Sequence, residues 1–287
     1  MPKLNILVTG ATGQQGGALT QVLLKKGHKV RAFTRNPNSP KANDLKKAGV
    51  EIYAGNFDDP KSLQGAIKGM DAAFVMGTMW EVGTDGETRQ GVAVADAAKA
   101  AGVKHLLYTS VASADRHTGI PHFDSKYLVE EHIKKIGVPY TIIAPVFFMD
   151  NIFAPWMAGL KEGRYPLALP PTCKLQQVSL PDIAGFAAHI LENRDRFLGK
   201  RFDIASDDLT GLQAADILTR VTGRKIEYFE VPLETVRAQS ADFAVMFEYF
   251  IKVGYQVDTK GLRRDYPQVG WHTFEEWAKQ QDWSFLK

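Results

Sequence analysis

Short, mostly apolar runs recur along the first half of the chain, at 5–9, 29–34, 50–54, 72–76, 105–109 and 140–144. They are rich in Val, Ile and Leu and apolar on both faces, the pattern of strands buried in a parallel sheet. Between them, apolar residues return at helical spacing over 15–26, 41–48, 60–68, 86–101 and 123–136. Gly27, Gly49, Gly69, Gly102 and Gly137 stand where those helices should stop. Strand and helix thus alternate in repeated right-handed crossover units, which predicts a doubly wound α/β sheet.

After Pro145 the rhythm loosens. Residues 149–160 read as a helix, and 164–176 as a Pro-rich loop. Strands are predicted at 177–180, 201–204 and 225–229, with helices at 181–191, 212–222 and 274–280. Residues 232–253 are apolar and aromatic at helical spacing. The expected fold class is α/β: a Rossmann-type doubly wound parallel sheet with a smaller C-terminal α/β lobe. The expected domains are 1–145, with 177–205 returning to it, and a lobe made of 146–176 and 206–287.

The first strand runs into Gly10-Ala11-Thr12-Gly13-Gln14-Gln15-Gly16, which opens a helix. That strand–glycine–helix context is what a dinucleotide phosphate loop needs. Gly10 permits a tight turn, Gly13 lets backbone amides approach a pyrophosphate, and Gly16 lets the helix pack on the sheet. The helix N-terminus offers unpaired N–H donors and a positive dipole end to the anion. The alternative is a glycine-rich turn with no ligand.

The end of the second strand separates NAD from NADP sites. An acidic residue there accepts the ribose 2′-OH, whereas an arginine can grip a 2′-phosphate. Here it reads Phe33-Thr34-Arg35-Asn36-Pro37, with no Asp or Glu. Arg35 therefore points to NADP(H), helped by Asn38 and Lys41, unless it is only an exposed arginine at a strand end. Asn56, Phe57 and Asp58 end the third strand and should border the adenine. Gly77 and Thr78 end the fourth and should border the ribose. Strand-end turn chemistry accounts for both equally.

With 45% hydrophobic and 23% charged residues the composition is that of a soluble globular protein. A net charge of +3 gives no case for a nucleic-acid or membrane partner. The pairs Lys25-Lys26, Lys46-Lys47 and Lys134-Lys135 fit solvated helix C-termini. One cysteine, Cys173, excludes an intrachain disulfide. The seven histidines form no recognised metal spacing, so no metal is expected. No run reaches the ~18 apolar residues of a membrane span. The first strand begins almost at once, so no signal peptide is expected, and the expected location is cytoplasmic.

Gly10-Ala11-Thr12-Gly13, Thr34-Arg35-Asn36-Pro37 and His122-Phe123-Asp124-Ser125-Lys126 together resemble the NmrA-like family of atypical short-chain dehydrogenases. The NADP(H) redox-sensor branch looks closest. Trp80-Glu81, Val129-Glu130-Glu131 and Phe274-Glu275-Glu276-Trp277 fit as well, and the resemblance spans nearly the whole chain. It implies an NADP(H) site using Gly10, Thr12, Gly13, Gln14, Gln15, Gly16 and Arg35. It also implies that Pro145 and Phe148 pass over the nicotinamide end. Typical short-chain dehydrogenases use a Ser and a Tyr-x-x-x-Lys pair. Carried over, Ser110 (or Thr109) ends the fifth strand and Lys126 binds the nicotinamide ribose. Four residues before Lys126 stands His122, not tyrosine. His122 is either a proton donor or a locally bonded helix-start residue. Tyr127 points elsewhere on its helix, and Tyr108 is expected to pack.

Phe147, Phe148, Met149, Phe153 and Trp156 line an apolar pocket or belong to the core. Two functions follow from the resemblance. One is an NADPH-dependent oxidoreductase passing hydride to a small hydrophobic conjugated acceptor such as a quinone, enone or imine. The other is a non-enzymatic NADP(H) sensor acting on a regulated protein partner. A homodimer stays open in either case.

Overall fold

In a computed structural model, which describes residues 2–286 with residues 155–157 as backbone alone, the alternation of the first half becomes a regular series. It runs β1 (Asn5–Thr9), α1 (Gln14–Lys25), β2 (Lys29–Thr34), α2 (Pro40–Lys47), β3 (Glu51–Ala54) and α3 (Pro60–Ile67). It continues with β4 (Ala72–Met76), α4 (Gly83–Ala100), β5 (His105–Thr109), α5 (Pro121–Ile136) and β6 (Tyr140–Pro145). The five glycines predicted to end helices lie at those ends, each with positive φ. Helix starts are equally local. Ser39 and Asp59 cap α2 and α3 through their side chains, and Pro40 and Pro60 follow at the first helical position.

The later chain gives β7 (Phe147–Phe148), β8 (Arg164–Leu167), β9 (Lys174–Val178), α6 (Leu180–Glu192), α7 (Arg194–Phe197) and β10 (Arg201–Ile204). Then come β11 (Asp207–Thr210), α8 (Gly211–Thr222), β12 (Glu227–Glu230), α9 (Leu233–Gln239), α10 (Ala241–Lys252), α11 (Thr259–Asp265) and α12 (Phe274–Lys279). Two compact units result. The first holds residues 1–115, 121–144 and 183–202; the second holds 116–120, 145–182 and 203–287.

The first unit is built on a seven-stranded parallel sheet ordered β10-β6-β5-β4-β1-β2-β3. β1 pairs with β2 on one side (Ile6 beside Val30) and with β4 on the other (Ile6 beside Ala72). The winding direction reverses between β1 and β4, and the crevice beyond their C-terminal ends is where such sheets take ligands. Thr9 Oγ1 bridges that crevice, accepting the Met76 amide at 2.9 Å. On one face of the sheet, Leu7, Val75, Leu106, Tyr108 and Ile142 are buried with Val94 of α4 and Val129 and Ile133 of α5. That continuous apolar layer fixes where the strand ends, and so the site, must lie.

The second unit departs from the sequence reading at several points. The predicted loop 164–176 contains β8 and most of β9. β9 runs antiparallel to β11, with Leu175 facing Leu209, and also pairs with β7; β8 pairs with β12. Pro166 sits in a two-stranded edge pair, the setting where a strand tolerates proline. Residues 149–160 are not one α-helix but two 3₁₀ segments, Met149–Phe153 and Pro155–Glu162. They break at Ala154, which is extended as the residue before a proline prefers. The stretch 232–253 is likewise two helices. Ser240 is extended between them and caps α10 through its hydroxyl. β11, α7 and α11 carried no apolar periodicity strong enough to predict.

Candidate functional site

The glycine turn sits at the switch point. Gly10 has φ +64°, and a Cβ there would stand 2.5 Å from the Met76 sulfur. A Cβ on Gly16 would stand 2.4 Å from the Gly10 carbonyl oxygen, so only glycine lets α1 pack this close to the turn. Gly13 is the N-cap of α1 and provides no side-chain cap. The first amides of the helix, at Gln14, Gln15 and Gly16, therefore remain available to an anion. Gln15 Oε1 accepts the Thr109 hydroxyl at 2.8 Å, tying the start of α1 to the end of β5.

Beside this turn lies a cavity of about 660 Å³ lined by Thr12, Thr34, Arg35, Asn36, Ser39 and Lys41, among others. Two cations and three hydroxyls face it, with no carboxylate among its lining residues. A second cavity of about 130 Å³ shares Thr12, Thr34 and Arg35. It continues over Asn56, Phe57, Met76 and Thr78 to Glu81 and Gln90. Phe57 stacks on Phe33 with ring centroids 5.4 Å apart, giving this second cavity a flat apolar wall. The Asn56 side chain accepts the Asp58 amide at 3.1 Å, which shapes the turn after β3.

The Asp58 carboxylate is turned to α4. It accepts from Gln90 Nε2 at 2.8 Å and from Arg89, and these bonds hold it below the usual carboxylate range. Arg35 is also engaged. Its guanidinium forms a two-pronged pair with Glu81, Nη2 to Oε1 at 2.9 Å and Nη1 to Oε2. The pairing raises the Arg35 pKa and lowers that of Glu81.

On the β5–α5 side, Lys126 Nζ is bonded to Glu87 Oε1. The other Glu87 oxygen accepts the Ser125 hydroxyl at 2.6 Å. Glu87 is buried on α4, and its side chain passes against Gly77 at the end of β4. Sequence reasoning placed Lys126 and Gly77 in the site but missed Glu87, which links them. Ser110 is buried near Glu130, whose carboxyl is pushed up by burial and drawn back by Arg201. Arg201 Nε meets Glu130 at 2.8 Å. Ser110 thus stands near an internal ion pair.

His122 is half-buried at the start of α5, its ring edge-on to Phe123 at 4.8 Å, and its carbonyl accepts from Ser125. Tyr127 lies under the Lys134 ammonium at 5.4 Å, on another side of the helix. Tyr108 is fully buried. Burial, then the Glu87 and Glu130 carboxylates, push its hydroxyl well above its ordinary pKa.

Pro145 and Phe148 belong to the second unit, Phe148 half-buried in β7. Phe147 and Met149 are core residues there. Phe153 packs in an aromatic cluster with Trp277, Trp283 and Phe285. The Trp156 side chain lies outside the described residues. Among the described residues no group of His, Cys, Asp or Glu is placed to hold a metal, and no helix is long and apolar enough to cross a membrane.

A doubly wound parallel sheet with a glycine turn and an uncapped helix start at its switch point defines a Rossmann-type dinucleotide fold. Residues 2–278 match the NmrA-like family, and the chain belongs to it. An NmrA-like family domain-containing protein of Dictyostelium discoideum is 28% identical over 266 residues, covering 87% of this chain and 88% of that one. The structure of an NADPH-dependent quinone oxidoreductase of Escherichia coli, complexed with NADPH, is 26% identical with a TM-score of 0.78, covering 95% and 98%. NmrA, described as a negative transcriptional regulator and solved with NADP, is 21% identical with a TM-score of 0.80, covering 98% and 95%. At that identity the last likeness speaks for the fold alone.

Proposed function

We propose that this chain binds NADP(H) at the switch point of its first unit and reduces a small hydrophobic conjugated acceptor, such as a quinone, enone or imine. The carrying observation is the carboxylate-free cavity around Arg35 and Lys41, next to the uncapped start of α1. In this reading the amides from Gln14 to Gly16 hold the pyrophosphate, with Thr12 beside them. Arg35 and Lys41 hold the 2′-phosphate. Asn56 and Phe57 border the adenine, and Asp58 acts through Gln90, which it fixes on the cavity wall. Gly77 and Thr78 border the ribose. Lys126, oriented by Glu87, reaches the nicotinamide ribose. The first unit is then the cofactor domain and the second the substrate or partner lobe.

Bound NADPH supplies hydride to the acceptor. A conjugated acceptor spreads the arriving charge and so needs little help from a protein acid. That suits a chain with His122 where tyrosine usually stands, and with Tyr108 and Tyr127 turned to other uses. The E. coli quinone oxidoreductase likeness supports the acceptor class. The same pair of features favours a second reading, an NADP(H) sensor without turnover: Lys126 is engaged by a buried carboxylate, and no tyrosine precedes it by one turn.

Steady-state NADPH oxidation against a panel of quinones, enones and imines separates the two. Turnover with at least one acceptor is expected, and His122→Phe should stay within about tenfold, below the ~10²–10⁴ of an essential acid. Loss beyond a hundredfold at unchanged cofactor affinity would make His122 that acid. Tight NADPH binding without turnover on any acceptor, together with a cofactor-dependent change in oligomer or partner affinity, would establish the sensor instead.

A further inference from the structure

Arg35 sits where the two cavities of the first unit join, and its guanidinium is already gripped by a carboxylate. Glu81 arrives from the turn between β4 and α4, 46 residues further along the chain. Both prongs of the fork are used, the geometry by which an arginine also takes two oxygens of a phosphate. Resting on the reading that NADP(H) binds here, we propose that Glu81 is a specificity-determining residue: its carboxylate holds the seat of the cofactor 2′-phosphate and is displaced by it.

One guanidinium fork cannot serve a carboxylate and a phosphate dianion together, and the two anions repel at this separation. Glu81 occupies the Nη1–Nη2 edge of Arg35, and repulsion between its carboxylate and an incoming 2′-phosphate favours opening the pair, although the Nε edge remains a donor. When that position carries only a hydroxyl, the pair stays closed, and a Glu81 oxygen is free to accept the O–H. That is the task of the acidic residue at the end of β2 in NAD sites, a position that reads Thr34-Arg35-Asn36 here. The chain thus carries both recognition groups, but from two different strand ends. Both side chains are more than half exposed, so the exchange takes place in water and its energetic barrier is small. Trp80, largely exposed beside Glu81, would move with the same turn.

Calorimetry of NADPH, NADH, 2′,5′-ADP and 5′-ADP with the wild type, Glu81→Gln and Arg35→Ala tests this. Glu81→Gln frees the fork and removes one negative charge. It should tighten NADPH and 2′,5′-ADP by roughly fivefold, the scale of one exposed ion pair. It should leave 5′-ADP unchanged within twofold, and leave NADH unchanged or weaker. An unchanged ratio of NADPH to NADH affinity in Glu81→Gln would overturn the role of Glu81 while leaving the cofactor site standing. If Arg35→Ala does not weaken the two 2′-phosphorylated ligands, the seat is elsewhere and the proposal falls with it. Exposed positions of this kind tolerate substitution, so both variants should fold.

Discussion

Arg35 and Glu81 meet in the open, with 62% and 54% of their side chains exposed; Lys126 and Glu87 meet inside, with 16% and 1%. Both are cation–carboxylate pairs in the same unit, and both hold a residue expected to touch cofactor. Their surroundings give them different duties. In water the Coulomb gain is largely screened and a partner is easily exchanged. In the interior, removing either partner strands a charge, so the pair behaves as framework. The open pair is fit to choose a ligand, and the enclosed pair is fit to fix a lysine in one place.

The largest effect that could break this contrast is at Glu87. Glu87→Ala should lower the unfolding free energy by about 3 kcal/mol, because Lys126 loses its buried partner. The same change at Glu81 should leave the urea midpoint where it is. Equal midpoint shifts at the two positions would erase the distinction. Cofactor affinity should also fall in Glu87→Ala and recover in part in Glu87→Gln, which still accepts a hydrogen bond from Lys126.

A buried titratable group with no ionic partner sharpens the contrast from another side. His105 Nε2 lies 2.8 Å from the Thr141 hydroxyl, which itself donates to the Phe197 carbonyl. The ring must therefore be the Nε2–H donor, and its Nδ1 has no hydrogen-bond partner. Burial, with Arg194 nearby, pushes this histidine down to about 4. The folded state thus resists a proton that the unfolded chain accepts near pH 6.5. Stability should fall as pH drops below that value and stop falling, from this source, near pH 4. Between pH 7 and pH 5 the loss should be about 2 kcal/mol. Denaturant titrations at the two pH values should show a smaller difference in His105→Gln; an equal difference would assign the effect elsewhere.

The third expected effect is a change of ligand preference. Arg35→Asp should weaken NADP(H) by about ten- to a hundredfold and spare or improve NAD(H), through loss of a charge-assisted pair and new repulsion. Equal affinity of the wild type for both cofactors would remove the role given to the open pair.

These differences also explain what could be read in advance. The glycine turn, Arg35 and the parallel strands are written in adjacent residues, because a buried parallel strand is one apolar run and a phosphate turn is one short motif. Lys126 was named only through the family resemblance. Glu81 and Glu87 were not legible, since each acquires its role from a partner 46 or 39 residues away. Asp58 was placed near the adenine, yet its carboxylate is spent on Arg89 and Gln90 of α4. In the second unit the strands span two to five residues and carry Pro166, Gln176 and Gln177, so β8 and β9 look like loop until β12 and β11 pair with them.

β10 lies at the outer edge of the large sheet, next to β6, although some sixty residues of chain separate the end of one strand from the end of the other. A ribosome adding about 5–20 residues per second needs roughly three to twelve seconds to make that interval. During it the nascent sheet is nearly complete, with the backbone of β6 still open to any passing strand. The vulnerable interval in the life of this molecule therefore lies between the synthesis of β6 and that of β10. A message truncated after the sixth strand would yield a sticky fragment rather than a smaller working domain.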